Sequence, residues 1–186
     1  MNEHKYKDFL FEIGTEELPP QRIGELVSSL AANIEKGLKE QALTYDSVKT
    51  YSTPRRIAVL INNLIIQQPD QALELRGPSI EIAFDKDNKP TVAAEKFAKT
   101  CGVAVSQLEQ IEEKRGRFLF CKTTKKGKAT TELLPDIIVT SVRKLPIVRP
   151  MYWGDSKVSF VRPVHWVVML FGEEIIAAEI LGIRTS

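Results

Sequence analysis

Five consecutive apolar residues, Ile57-Ala58-Val59-Leu60-Ile61, restrict this chain's fold more than any other feature. Successive strand side chains point to opposite faces, so an unbroken apolar run predicts an interior strand covered on both sides. The surrounding stretch from Val48 to Leu64 reads as extended, broken at Thr53-Pro54 and fraying at Asn62-Asn63. A covering element is legible upstream. Ile23, Leu26, Val27, Leu30, Ile34 and Leu38 recur with the spacing of one helical face. Pro19-Pro20 opens that helix, and Glu35 and Lys39 form a favourable pair on its wet side.

The remaining elements follow from the same signals. Phe9 to Ile13 is a short strand ended by Gly14. Pro69, Gly77, Pro78, Asp85, Asp87, Asn88 and Pro90 mark residues 67–90 as a loop-rich connector. The expected organisation is therefore an α+β segment over 1–66, the connector, and a second α+β segment over 91–186. In that last segment Thr91 caps a short helix ended by Gly102, and Ser106 with Glu109 has capping-box spacing for another helical turn. Arg117 to Lys122 is a strand. Thr130 or Thr131 caps a helix whose inward stripe is Leu134, Ile137, Ile138, Ser141, Val142 and Leu145, with Pro146 as its stop. Val158 to Val161, Val164 to Phe171 and Ile175 to Ile183 read as strands. Helices and strands alternate without a regular βαβ rhythm, which predicts an α+β fold with mixed or antiparallel sheets and packed helices. The stop at Leu181 to Ser186, without cap or polar tail, predicts a segment incomplete at that end.

The chain has 186 residues, 43% of them hydrophobic and 27% charged, a balance ordinary for a globular protein and without the signature of disorder. The net charge of +2 is unevenly placed: residues 1–113 carry 13 Lys+Arg against 18 Asp+Glu, and residues 114–186 carry 13 against 6. A basic C-terminal part is compatible with an anionic partner. Cys101 and Cys121 make neither a C-x-x-C motif nor a disulfide framework. The polar start lacks the apolar stretch of a signal peptide and the longest apolar run is far shorter than a membrane span, so the expected location is cytoplasmic.

Chemistry-bearing motifs are absent. There is no phosphate-cradling glycine loop, no G-x-S-x-G elbow and no metal-ligand spacing, so no catalytic residue and no metal site is assigned. His4 lies in the terminal tail, His165 reads as a packed, hydrogen-bonded core or edge residue of a strand, and Trp166 as a core filler. Arg162-Pro163 is a bend whose arginine can anchor a carboxylate, and Glu16-Glu17 suits a helix start. Two basic features remain. Arg55-Arg56 precedes the apolar strand and reads either as phosphate-binding or as an internally ion-paired strand entry. Lys114 to Lys128 holds seven cations and no acid, and reads either as a stretch lying along RNA or as a solvated hairpin edge. Phe118 and Phe120 within it are expected to face the core.

Particular strings carry a resemblance. Phe9 to Pro20, Thr53 to Val59, Arg76-Gly77-Pro78, Ala93 to Ala98, Met151 to Gly154, and Phe160 to Trp166 followed by Leu170-Phe171-Gly172 resemble, in order, blocks of the glycyl-tRNA synthetase β-subunit family. The resemblance implies part of an α2β2 ligase. ATP with Mg is used by the α subunit, this chain binds no cofactor itself, and tRNA(Gly), the α subunit and a second β subunit are its partners. Arg55, Arg56, Lys125, Lys126 and Lys128 are then the RNA-contact candidates. The fold implied is similar to the B-type accessory domains of the phenylalanyl enzyme's β subunit. The alternative role is a structural, subunit-docking segment without direct tRNA contact.

Overall fold

In the computed structural model, which describes residues 5–85, 89–113, 116–154 and 158–186, the apolar pentad lies inside a five-stranded antiparallel sheet. His4, Asp87, Asn88, Lys114, Arg115 and Asp155 fall outside the described residues. The chain divides into two compact units, Met1–Pro69 with Lys128–Ser186, and Asp70–Gly127. The linear division expected at residues 67–90 is replaced by this nested one.

The first unit contains β1 (Tyr6–Thr15), α1 (Pro20–Glu40), β2 (Ser47–Thr53) and β3 (Arg56–Ile65). Within Asp70–Gly127 come β4 (Gln71–Ser79), α2 (Ile80–Ala83), α3 (Val92–Cys101), β5 (Glu109–Glu113) and β6 (Gly116–Lys125). The first unit resumes with α4 (Thr130–Arg143), β7 (Met151–Tyr152), β8 (Ser159–Phe160), β9 (Val164–Phe171), β10 (Glu174–Ile175), β11 (Glu179–Ile180) and β12 (Ile183–Arg184). The mixture of helices with antiparallel sheets is the α+β class expected.

The large sheet runs β10-β9-β1-β3-β2. Phe9, Phe11 and Ile13 of β1, Ile57, Val59 and Ile61 of β3, and Val167, Met169 and Phe171 of β9 are buried on one face. Against it pack Leu26, Leu30, Ile34 and Leu38 of α1 and Leu134, Ile138 and Val142 of α4. Each large side chain so buried contributes about 1.5–3 kcal/mol of transfer free energy. The two helices of this unit, α1 and α4, pack on this face. On the other, Ala58 is screened by its cross-strand neighbours Tyr51 and Glu12, and Leu60 stays partly exposed. Asn62-Asn63 does not fray. Asn63 takes a positive φ of 51°, its N–H donates to Asp8 Oδ1 at 2.8 Å, and β3 continues to Ile65 opposite a register shift in β1. The cap of α4 is Ala129; Thr130 is the first helical residue, buried, with its hydroxyl donated to the Ile65 carbonyl.

The second unit is a three-stranded antiparallel sheet, β4-β6-β5. Ala94 of α3, Ala83 of α2 and Leu119 of β6 form its small core, with Phe97 packed over Gly77. Gly102 ends α3 in the left-handed conformation. The expected extra helical turn is a three-residue 3₁₀ turn, Val105–Gln107, and Glu109 already belongs to β5.

Candidate nucleic-acid interface

Three separated segments meet at one end of the large sheet. The turn after β1 is fastened to the β2–β3 hairpin: Thr15 N donates to Arg55 O at 2.9 Å, and Leu18 N to Pro54 O at 2.7 Å. Glu16 N donates to Pro163 O at 3.0 Å, bringing in the approach to β9. The acids of β1 and its turn then face the arginines. Arg56 Nη1 lies 3.5 Å from Glu12 Oε2, and Arg55 Nη2 lies 3.3 Å from Glu16 Oε2. Each carboxylate has a second partner. Trp166 Nε1 donates to Glu12 Oε1 at 2.9 Å, and His165 Nε2 lies 2.8 Å from Glu16 Oε1. The Arg56 guanidinium also stands 5.9 Å from the Trp166 ring centroid.

Strand alternation corrects one expectation here and decides between two others. Val167, Met169 and Phe171 take the core side of β9, so Trp166 lies on the opposite face and is exposed. It covers Gly14, where a Cβ would fall 1.9 Å from the indole. Of the core and edge alternatives, His165 takes the edge one: it is exposed and bonded to Glu16. Arg162 anchors a backbone carbonyl, not a carboxylate: its Nε donates to Glu17 O at 3.1 Å. Arg55 and Arg56 thus enter an internal ion network. Both are about half exposed, with side-chain values of 58% and 52%, so each pair is worth only ~0–1 kcal/mol. Their charge is nevertheless largely balanced by Glu16 and Glu12.

The lysines are differently placed. Lys125 ends β6, Lys126 follows it in the second unit, and Lys128 resumes the first unit; all three are exposed. Their backbone is tied down, with Gly127 N donating to Asp70 Oδ1 at 2.9 Å and Lys128 N to Gln68 Oε1 at 3.1 Å. Among the described residues none of the three ammonium groups has a carboxylate partner. Their field is available to an external anion.

Phe118 and Phe120 do not face the core. On β6 the inward positions are Leu119 and Cys121, both buried, and the two phenyl rings occupy the opposite face, partly exposed. The Arg76 guanidinium lies 3.9 Å from the Phe118 ring centroid and the Lys122 ammonium 5.9 Å from that of Phe120. Sequence alternation could not separate the two sides, because residues 118–121 are apolar throughout.

Among the described residues no group of three His, Cys, Asp or Glu side chains is placed to hold a cation, and no helix is long and apolar enough to cross a membrane. Burial, and then the neighbouring Cys121 sulfur, push the Cys101 thiol up to about 11, which keeps it protonated and unreactive near neutrality. A groove of about 280 Å³ between the start of α1 and the chain after α4 is lined by Pro19, Leu26, Ile147 and Val161 with Arg22 and Arg149. That lining offers no nucleophile or general base.

Comparison with known proteins gives the class first: the relatives are subunits of an aminoacyl-tRNA ligase. The chain belongs to the glycyl-tRNA synthetase beta subunit family, whose model matches residues 9–186. It is 45% identical over 97% of its length to the glycine–tRNA ligase beta subunit of Coxiella burnetii strain RSA 493 / Nine Mile phase I. It is 46% identical over the same share to that of Haemophilus influenzae strain 86-028NP, and 43% to that of Pasteurella multocida strain Pm70. The chain spans about a quarter of the length of these curated relatives, 26%, 25% and 26% respectively.

Proposed function

We propose that this chain is a tRNA-holding part of a glycyl-tRNA synthetase β subunit, acting in the cytoplasm while bond-making occurs on the α subunit. The observation that carries the reading is the exposed trio Lys125, Lys126 and Lys128, without carboxylate partners, in a chain of this family. Lysines of this kind attract phosphate from a distance and fix register without reading sequence. Holding the acceptor end of tRNA(Gly) beside an activated glycine on the α subunit removes orientational entropy from the transfer step. ATP with Mg is consumed on the α subunit, and a second β subunit completes the assembly. Arg55 and Arg56 contribute less to phosphate binding than the lysines, because Glu16 and Glu12 already balance them.

The test is tRNA(Gly) binding by the assembled α and β subunits across a salt series. If each lysine meets one phosphate, Lys125→Glu/Lys126→Glu/Lys128→Glu flattens the log–log salt slope by roughly 2–3. An unchanged slope and affinity would remove the reading.

A second reading, subunit docking without tRNA contact, is favoured by one observation. The face of the large sheet turned away from α1 and α4 exposes Tyr51 and Trp166, with Ile175 also exposed on its edge strand. Tyr51→Glu that abolishes capture of the α subunit while leaving tRNA affinity intact is the outcome that supports it.

A further inference from the structure

We infer that the face of the β4-β6-β5 sheet opposite α3 is a stacking platform for unpaired nucleobases of RNA, with Phe118 and Phe120 as its two rings. This deepens the tRNA-holding reading and rests on it. The packing inside the second unit is unusual in what it leaves out. Its core takes Ala83, Ala94 and Leu119, with Cys101 and Cys121 also buried, while both phenylalanines of the central strand point the other way. Among the described residues no helix of this unit packs on that side.

The geometry suits bases. Residues two apart on a strand stand about 6.8 Å from each other on the same face, which leaves room for one base on the Phe120 ring and one on the guanidinium that covers Phe118. Every base has a π-face, so such a platform accepts RNA without sequence readout. The Arg76 guanidinium 3.9 Å from the Phe118 centroid adds a second planar surface, and guanidinium planes stack bases as aromatic rings do. Lys122, 5.9 Å from the Phe120 centroid, supplies a cation for the intervening phosphate. Lys125 and Lys126 continue along the same strand and its exit.

Among the described side chains two acids share this face. Glu109 pairs across from Phe120, and Glu74 across from Lys122. They keep phosphate away from their own positions, which leaves Lys122 as the phosphate contact on this face. A duplex hides its π-faces, so the ligand chemistry is an unpaired stretch of RNA.

The assembled α and β subunits are titrated with a fluorescein-labelled unpaired RNA 8-mer and, separately, with tRNA(Gly) and with a fully paired RNA. In Phe118→Leu/Phe120→Leu the apolar bulk stays and the π-faces go. The expected result is at least ~10-fold weaker 8-mer binding with paired RNA unaffected, since stacking contributes ~1–3 kcal/mol per base. Phe118→Trp/Phe120→Trp restores or strengthens binding, and the added indole emission is quenched as the 8-mer binds. Equal 8-mer affinity in wild type and the Leu variant overturns the inference, as does absence of quenching in the Trp variant. Loss of α-subunit association in the Leu variant with 8-mer affinity intact also overturns it, and makes this face a protein interface. The lysine-reversal experiment decides the tRNA-holding reading independently: a lowered salt slope there, with no effect of the Leu variant, leaves that reading standing and this inference rejected.

Discussion

Gly14 shows how one residue fixes the ion network around Arg56. It sits opposite Trp166 on β9 and opposite Arg56 on β3, and the missing Cβ is what lets the indole lie against the β1 backbone. In that position the indole N–H reaches Glu12 at 2.9 Å, which leaves the other carboxylate oxygen for Arg56. Gly14→Ala therefore drives Trp166 outward. Overlap of this kind costs about 1–3 kcal/mol, against less than about 1 kcal/mol returned by restricting the unfolded chain. Net destabilisation of ~1–2 kcal/mol is expected in urea denaturation. The cause is tested by repeating the substitution in a Trp166→Ala background, where the penalty should vanish. An equal penalty in both backgrounds would mean that the indole is not what excludes the methyl group.

At the scale of elements, α1 and α4 run antiparallel: Arg22 donates to Pro146 O, Asn33 to Ser141 O, and Gly37 faces Ile137. A Cβ on Gly37 would come 2.7 Å from Ile137 Cγ2. Alanine is the better helix former by about 1 kcal/mol. Ile137 is buried and β-branched, with χ1 held by its own helix, so it cannot yield cheaply and the overlap costs ~1–3 kcal/mol. Gly37→Ala is thus expected to lower the melting temperature, and to raise it when Ile137 is also Ala. Both helices were legible in the sequence because only one face of each is apolar. Elements lacking such contrast were not. Residues 118–121 are apolar on both faces, so the sequence pattern alone puts Phe118 and Phe120 on the wrong side. Gln71–Ser79 was hidden by Gly77-Pro78, punctuation that usually marks a loop. In the structure β4 is an edge strand, where a proline costs no ladder bond, and Gly77 makes room for the Phe97 ring. Arg55 and Arg56 were legible as a basic pair, but their carboxylate partners come from 39 and 44 positions away, which spacing alone does not reveal.

For the molecule as a whole, the decisive feature is that the second unit enters and leaves the first at one place. Gln68 N donates to Lys128 O at 3.0 Å, Thr130 N donates to Ile66 O at 2.9 Å, and Gln67 bridges Ala129. All of these bonds belong to the first unit. A reading along the chain looks for boundaries between consecutive segments and cannot see that Ile66 and Thr130 are neighbours. Among the described residues, the first unit's buried core draws on residues from Phe9 to Ile65 and from Leu134 to Ile180, with none from Asp70–Gly127. Replacing Asp70–Gly127 by a short Gly-Ser linker between Pro69 and Lys128 removes no member of that core. The excised protein is expected to unfold cooperatively, with a melting temperature within a few degrees of the parent's first-unit transition, by near-UV circular dichroism and calorimetry. A molten product without a cooperative transition would show instead that the first unit depends on the second. The converse piece, about 60 residues with only a small core, lies near the lower limit for independent folding, so its stability should be the lower of the two.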